Sequence, residues 1–235
     1  MITSAKNHQL KEIRRLARRP ARERSGRFVA EGEDLVDAAR AAGWTPAFVL
    51  CPPGHSRDGG YVEVAPELLR TVSTLASSSR AIAVYEQRWA DPAGPLCVYL
   101  HGVRDAGNVG TILRAAHAFG AASVVLGPGC ADPYGPRAVR ASMGAVFALP
   151  LARTDGVDGL PGELVALDGG ADVLLRGPRK GPLTLLVGAE RTGLPAEIIE
   201  ASDRRCAIPQ LAGDSLNAAM AATVALYELS RVPAS

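Results

Sequence analysis

The chain has 235 residues, which is enough for one large domain or two small ones, and it is 47% hydrophobic and 21% charged, as is usual for a globular protein. No run approaches the roughly 18 apolar residues of a membrane span, and the first 15 residues lack the apolar centre of a signal peptide. We therefore expect a cytoplasmic protein with no membrane segment. Cys51, Cys97, Cys130 and Cys206 are widely spaced and form no C-x-x-C pair, so we interpret them as buried thiols.

The net charge of +2 is unevenly distributed. Residues 1–30 contain nine Lys or Arg and two Glu, a net charge of +7, so the other 205 residues carry −5. Concentrated positive charge is typical of proteins that bind a polyanion, because neutralising phosphates releases counterions. A solvated helix face or a basic tail would have the same composition. The charge alone therefore leaves both interpretations open.

The first 90 residues alternate between helix and strand patterns. A helix is predicted over 7–17, where Leu10, Ile13 and Leu16 recur at helical spacing opposite Lys and Arg. The other predicted elements are a strand at 26–32, a helix at 34–43 closed by Gly43, a strand at 47–51, a helix at 66–72 and a strand at 81–86. Residues 91–95 hold two prolines and a glycine, which mark a linker between a domain at 1–90 and a domain at 96–235.

The second domain is predicted to be an α/β fold with a parallel sheet. Its short apolar runs are separated by helical stretches, and fully apolar strands are typical of sheets covered on both faces. The predicted strands are 96–100, 123–127, 147–151, 164–168, 183–188 and 205–209. Ligands bind at the carboxyl ends of such strands, so polar residues that follow a strand are candidates for a site.

Three segments carry such residues. In NVGTILR (108–114), Asn108 is predicted to cap a helix on which Gly110 and Arg114 share one face, leaving space beside a guanidinium. An ordinary surface arginine fits the spacing equally well. In VGAERTGLP (187–195), Gly188, Glu190 and Gly193 follow a strand, as they would in a simple tight turn.

The third segment, IPQLAGDSLNAAMA (208–221), is the most distinctive. Ile208 and Pro209 end a strand and Gly213 turns the chain. Ser215 is predicted to cap the following helix, which places Asn217 in the first turn. Ser215 could be a simple helix cap, and it could cap the helix and have a functional role at the same time.

Together the segments resemble the motifs of the SpoU/TrmH branch of the SPOUT RNA methyltransferases. The first resembles N-x-G-x-x-x-R, the second G-x-E-x-x-G-L and the third I-P-x-x-G-x-x-S-L-N, in the family's order and spacing. The stretch at 132–151 resembles the usual connection between the first two. Two positions depart from the pattern: Ala106 stands where the family often has Pro, and His101 where it often has Asp. We interpret His101 as a loop residue.

The resemblance implies a SPOUT domain with a deep trefoil knot, a smaller N-terminal L30e-like α/β domain that binds RNA, and a homodimer. It implies methyl transfer from S-adenosyl-L-methionine to a ribose 2′-hydroxyl of RNA, with 23S rRNA favoured over tRNA, and no metal. The implied catalytic residues are Asn108, Arg114, Glu190, Ser215 and Asn217. The implied cofactor-binding residues are Leu186, Gly188, Gly193, Ile208, Pro209 and Leu216. The candidate RNA-binding residues are Lys11, Arg14, Arg15, Arg18, Arg19 and Arg27.

Other function classes fit less well. A catalytically inactive RNA-binding homologue stays open, although the complete motif set argues against it. A Rossmann enzyme is disfavoured because the first strand–helix turn lacks G-x-G-x-x-G. An α/β hydrolase is disfavoured because ASMGA (141–145) does not match G-x-S-x-G, and the sequence contains no P-loop.

Overall fold

The computed structural model describes residues 1–57, 60–74, 80–211 and 216–231. The chain divides into two compact units. The first comprises Met1–Gln87 and Asp132–Ala148, and the second comprises Arg88–Ala131 and Leu149–Ser235. Each unit has its own sheet.

The first unit surrounds a four-stranded mixed sheet. Strand β4 pairs antiparallel with both β1 and β2, and β2 pairs parallel with β3, giving the order β1-β4-β2-β3. Its elements before residue 88 are α1 (His8–Leu16), α2 (Arg19–Ser25), β1 (Arg27–Glu31), α3 (Glu33–Ala41), β2 (Phe48–Cys51), β3 (Tyr61–Glu63), α4 (Pro66–Arg70) and β4 (Ile82–Glu86). Helix α2 and strand β3 had not been predicted.

Helix α1 forms where its apolar spacing predicts it. Asn7 caps it, accepting hydrogen bonds from the backbone N–H groups of Gln9 (2.8 Å) and Leu10 (3.4 Å). The buried face, with Leu10, Ile13 and Leu16, belongs to the same apolar cluster as residues of β2 and β4. The opposite, exposed face of α1 carries its basic residues.

The segment Asp132–Ala148 packs in the first unit, although the predicted domain boundary placed it in the second. It forms α6 (Pro136–Ala141) and α7 (Ala145–Ala148), whereas a strand was predicted from residue 147, and β7 begins only at Leu151. Aromatic packing accounts for this placement. The Tyr134 ring lies 4.6 Å from the Phe28 ring, and the Trp44 indole N–H donates to the carbonyl of Phe147 at 2.8 Å.

The second unit continues the chain on both sides of that segment. Its remaining elements are β5 (Leu96–Leu100), α5 (Ala106–Ala118), β6 (Ser123–Leu126), β7 (Leu151–Arg153), β8 (Glu163–Leu167), β9 (Leu183–Val187), α8 (Ala196–Glu200), β10 (Arg204–Cys206) and α9 (Ala218–Ser230). The longest of these helices have 13 residues, and no helix in the described ranges has the length and apolarity needed to cross a membrane.

The sheet of the second unit has the order β10-β8-β9-β5-β6-β7, and every pairing is parallel, as predicted. All residues of β5 and β9 are buried, which explains their unbroken apolar sequences. Leu100 pairs with Val187, so these two central strands end side by side. The loops that follow them therefore emerge together at one edge of the sheet.

Candidate active site

Helix α5 starts three residues before the predicted position. Asp105, not Asn108, is its N-cap, and the Asp105 carboxylate accepts a hydrogen bond from the backbone N–H of Asn108 at 3.0 Å. The prediction that Asn108 caps the helix is therefore wrong, because an aspartate three residues earlier does so. As a consequence, the Asn108 side chain is available for contacts outside its own helix.

Asn108 joins two other strand-end segments. Its Nδ2 donates a short hydrogen bond to Oε1 of Glu190, in the loop after β9. Its Oδ1 accepts a hydrogen bond from Nδ2 of Asn217 at 3.2 Å. The three motifs predicted from the sequence thus meet through three side chains that lie up to 109 residues apart.

Asn217 belongs to this cluster and also caps α9. Its Oδ1 accepts from the backbone N–H groups of Ala219 (2.9 Å) and Met220 (3.4 Å). The sequence predicted Ser215 as this cap and Asn217 in the first turn, but the helix starts after Asn217. Ser215 and Gly213 lie outside the described residues. Both ends of the Asn217 amide are therefore used, one for the helix and one for Asn108.

The loop after β9 is closed by its own backbone. Ala189 and Gly193 exchange two hydrogen bonds, of 3.1 and 2.9 Å, and Gly193 adopts φ +65°. A side chain at Gly188 would collide with the backbone of Gly193 and Leu194. These two glycines are therefore required by the loop itself, which holds Glu190 half-buried near the sheet edge.

The residues expected to hold the cofactor follow two strands of the same parallel sheet. Leu186 is fully buried within β9, whereas Gly188, Ile208 and Leu216 are half-buried and Pro209 is exposed. Within the described parts of the chain, the backbone polar groups of Gly188, Ile208 and Leu216 have no hydrogen-bond partner. Half-buried backbone groups beside apolar side chains match what an adenosine moiety needs.

Arg114 lies outside the side-chain cluster. It is exposed on α5, one turn after the buried Gly110, and its side chain makes no hydrogen bond or ion pair with any residue the structure describes. Helix α5 packs along α9, with the Phe119 and Tyr227 rings 6.1 Å apart. The guanidinium is thus charged, exposed and available to an external anion.

Tyr99 and His101 form a pair that the sequence did not predict. The buried Tyr99 hydroxyl lies 3.1 Å from Nδ1 of His101, and burial raises the pKa of Tyr99 to about 12. The neutral phenol and the ring nitrogen fix each other, so His101 is a partnered residue at the end of β5. The sequence does not reveal this pair, because a tyrosine within the continuously apolar strand β5 is indistinguishable from an ordinary core residue.

The predicted RNA-binding residues lie in the first unit and fall into two groups. Arg14 donates to the Ala5 carbonyl (3.3 Å) and to Thr71 Oγ1 (2.7 Å). Arg19 pairs with Glu23 at 2.8 Å, and Arg27 pairs with Glu12 at 3.2 Å and with Glu86 at 3.6 Å. Lys11, Arg15 and Arg18 are exposed and have no such partner in the described chain.

Metal ligands do not cluster in the described ranges, where no three His, Cys, Asp or Glu side chains lie close enough together to hold an ion.

Comparison with protein families gives two matches that divide the chain. Residues 95–227 match the model of the SpoU rRNA Methylase family. Residues 7–87 match the model of the MRM3-like substrate binding domain. The first range contains all three motifs, and the second contains the six candidate RNA-binding residues.

Individual relatives match over nearly the whole chain. The 23S rRNA (guanosine(2553)-2′-O)-methyltransferase RlmP of Bacillus subtilis is 30% identical, over 97% of this chain and 98% of that protein. The crystal structure of an AdoMet-bound rRNA methyltransferase from Sinorhizobium meliloti is 32% identical, with a TM-score of 0.88 and coverage of 100% and 98%. The SpoU methyltransferase AviRb from Streptomyces viridochromogenes, in complex with AdoMet, is 28% identical, with a TM-score of 0.85 and coverage of 96% and 97%.

Proposed function

Because the chain belongs to the SpoU rRNA Methylase family, we propose that it transfers a methyl group from S-adenosyl-L-methionine to a ribose 2′-hydroxyl of RNA, with 23S rRNA as the expected substrate. One observation carries the proposal. Asn108, Glu190 and Asn217, from three separate motifs, are joined by direct side-chain hydrogen bonds beyond the ends of parallel strands. This is where α/β proteins build their sites.

The proposed cofactor site consists of Leu186, Gly188, Gly193, Ile208, Pro209 and Leu216. The free backbone groups of Gly188, Ile208 and Leu216 would hold the adenine, and the Leu216 and Ile208 side chains would cover it. When bound, the sulfonium supplies a methyl group that is already activated for displacement, so the reaction requires no metal.

Arg114 is proposed as the residue that acts on the target ribose. A guanidinium stays protonated in proteins, which makes binding the adjacent phosphate and lowering the hydroxyl pKa the simpler role. In that role the hydroxyl proton passes to water as the methyl group is transferred. Acceptance of the proton by Arg114 is the alternative, and it requires the neutral guanidine form. Its lack of an intramolecular partner in the described chain supports either role, because no other contact competes for the guanidinium.

Asn108, Glu190 and Asn217 are proposed to order the loops around that ribose. Glu190 holds the Asn108 amide, and Asn108 in turn holds Asn217 at the start of α9. Ser215 is proposed to order the preceding turn. Fixing these groups before substrate binds lowers the entropy cost of reaching the reactive geometry.

An RNA partner is supported by the relatives and by the charge of the first unit. The Bacillus subtilis relative is named for methylation of 23S rRNA, and residues 7–87 match a substrate-binding domain. We propose that the protein meets this substrate in the cytoplasm. The alternatives are a tRNA substrate and an inactive RNA-binding homologue, and a methyl-transfer assay distinguishes them from methylation of 23S rRNA.

A homodimer is proposed on the basis of α9. Met220, Val224 and Tyr227 recur at helical spacing and are 60%, 44% and 57% exposed. An exposed apolar stripe on an otherwise buried helix is typical of an interface. Light scattering should give twice the monomer mass of 24.5 kDa, and Tyr227→Asp should return the monomer.

The deep trefoil knot is also a proposal. It is supported by α9, which packs along α5 and also bonds the β8–β9 connection. Glu228 accepts from the backbone N–H of Gly177 at 2.9 Å, and the Leu229 carbonyl accepts from that of Arg179 at 3.0 Å. A helix held between these two segments fits a chain that threads through a loop.

Methyl transfer from labelled S-adenosyl-L-methionine tests the function. The purified protein would be incubated with in vitro transcribed 23S rRNA, with total tRNA, and with no RNA. We expect label in 23S rRNA, in a nucleotide whose 3′ bond resists alkaline hydrolysis because its 2′-oxygen is methylated. Label in tRNA alone would identify the alternative substrate, and cofactor binding without transfer to either RNA would support an inactive homologue.

A further inference from the structure

A groove lies between α1 and α2 on the surface of the first unit. It has a volume of about 500 Å³, and its lining is Arg14, Arg15, Arg18, Pro20, Ala21 and Arg24. A second groove of about 330 Å³ shares Arg15 and Ala21 with the first and adds Lys11. Arg15 therefore stands between two adjoining grooves, each lined by cationic side chains.

The cations of these grooves differ in what they contact. Arg14 is committed to Ala5 and Thr71, as described above. Arg15, Arg18 and Arg24 are exposed, and their side chains make no hydrogen bond or ion pair with any residue in the described parts of the chain. Glu12 is the acidic residue that lines the second groove, and it pairs with Arg27. Three guanidinium groups thus gather without an acidic partner of their own.

A buried ion pair and its hydrogen bonds join the two helices that flank the groove. Arg22, which is 4% exposed, pairs with Asp132, which is 7% exposed, at 2.8 Å. Its Nη1 also donates to the carbonyls of Leu16 (2.8 Å) and Ala17 (3.1 Å), which ties the end of α1 to α2. Because α1 and α2 are already joined in this way, a ligand does not have to order them, and binding carries less entropy cost.

Like charges held close together on a rigid surface repel one another, and a bound anion removes that repulsion. A guanidinium fork matches the oxygens of a phosphate in geometry as well as in charge. The other lining residues, Pro20 and Ala21, have apolar side chains, so the polar side chains of the lining are all cationic. The groove is therefore suited to the anionic backbone of a nucleic acid, whose phosphates are the usual partners of such groups.

We propose that the α1–α2 groove binds the ribose-phosphate backbone of the substrate RNA through Arg15, Arg18 and Arg24, while the side chains of Arg14, Arg19 and Arg27 are held by partners within the first unit. The proposal rests on the proposed function, since RNA is the partner in both. It adds Arg24 to the residues predicted from the sequence and removes three others from direct contact.

Two triple variants of the full chain test the assignment. The groove variant is Arg15→Gln, Arg18→Gln and Arg24→Gln, and the matched control is Arg19→Gln, Arg27→Gln and Arg140→Gln, which each pair with a carboxylate in the first unit. Both lose three positive charges, so a difference between them reports position and not net charge. Binding of 23S rRNA would be measured between 50 and 200 mM KCl, together with the kcat and KM of methylation and the affinity for S-adenosyl-L-methionine.

For the groove variant we expect RNA affinity to fall about tenfold or more at 100 mM KCl. The negative slope of the logarithm of the RNA-binding constant against the logarithm of the KCl concentration should become shallower by about 2 to 3. KM should rise, while kcat at saturating RNA and cofactor affinity stay near wild type. The control variant should change the slope by less than about 1, even though it loses more intramolecular contacts.

Equal losses in the two variants, or full RNA affinity in the groove variant, would overturn the assignment. Thermal unfolding of both variants checks that neither result comes from a misfolded first unit. A wild-type protein that neither binds nor methylates RNA would instead overturn the proposed function itself, so the two failures are distinguishable.

Discussion

In the second unit, the polar side chains that meet beyond the strand ends are hydrogen-bonded to one another. In the first unit, three arginine side chains of the α1–α2 groove have no side-chain partner in the described structure. Asn108, Glu190 and Asn217 form a continuous hydrogen-bonded chain across three segments. Arg15, Arg18 and Arg24 line the same groove, and their side chains have no partner in the described structure. One arrangement orders a small site, and the other leaves charge available to a large polyanion.

The same contrast occurs within each unit. Arg22 and Arg24 are two residues apart, yet one is buried in an ion pair and the other is exposed in the groove. In the second unit, Asn108 is held while Arg114, on the same helix, is free of intramolecular partners in the described chain. Residue type therefore does not decide whether a side chain stabilises the fold or meets a ligand. Its tertiary partners decide.

The largest expected effect is on kcat, from a change at Arg114, whose side chain has no partner in the described chain. Arg114→Ala should lower kcat about 10³-fold, equivalent to about 4 kcal/mol, because a charged donor aimed at the reacting group is lost. The affinity for S-adenosyl-L-methionine, measured by titration calorimetry, should be unchanged. Arg114→Lys keeps the charge and serves as the control. Full activity in Arg114→Ala would remove this residue from the mechanism.

The next effect concerns the partnered arginine of the first unit. Asp132→Ala should lower the free energy of unfolding by about 3 to 5 kcal/mol, because the buried guanidinium of Arg22 is left unpaired. Urea denaturation measures the change. Glu23→Ala, which breaks the exposed pair with Arg19, should cost less than about 1 kcal/mol. Similar losses in the two variants would contradict the distinction between structural and surface arginines.

A smaller effect is expected at the centre of the hydrogen-bonded cluster. Glu190→Ala should lower kcat about 30-fold, since removing a charged hydrogen-bond partner costs about 2 kcal/mol. Glu190→Gln keeps an acceptor oxygen for Asn108 and should recover most of the activity, as expected of a positioning residue. If Gln were as impaired as Ala, the carboxylate charge would have a more direct role than holding Asn108.

The smallest effect lies at the partly exposed ion pair between Asp168 and Arg205, whose Oδ2 and Nε are 3.0 Å apart. A hydrogen bond from the backbone N–H of Gly170, and then Arg205, lower the pKa of Asp168 below its ordinary value. A depressed folded-state pKa stabilises the fold above the unfolded pKa of about 3.9, and this contribution is lost as the pH falls through the folded value. Asp168→Asn should therefore cost less than about 1 kcal/mol at pH 7 and a smaller amount at about pH 3, in paired urea denaturation experiments. An equal cost at both pH values would show that charge is not the cause.

Much of the architecture was predictable because it depends on local patterns. The apolar runs of β5 and β9 predicted a parallel sheet, and the spacing of Leu10, Ile13 and Leu16 predicted α1, and both predictions are confirmed. The family was also predictable, since its three motifs are short and keep their order. The helix caps were not, because Asp105 and Asn108 are equally good caps by residue type and only the geometry selects one.

The sequence by itself determined most of the strands, the longest helices, the family and the segments that carry the chemistry, because apolar periodicity and motif spacing act over a few residues. Only the tertiary structure decided which polar groups are partners. It placed Asp132 beside Arg22, 110 residues away, and Asn217 beside Asn108. Such contacts depend on how distant segments pack, and no local pattern encodes them, so the division between structural and available arginines appears only in the folded chain.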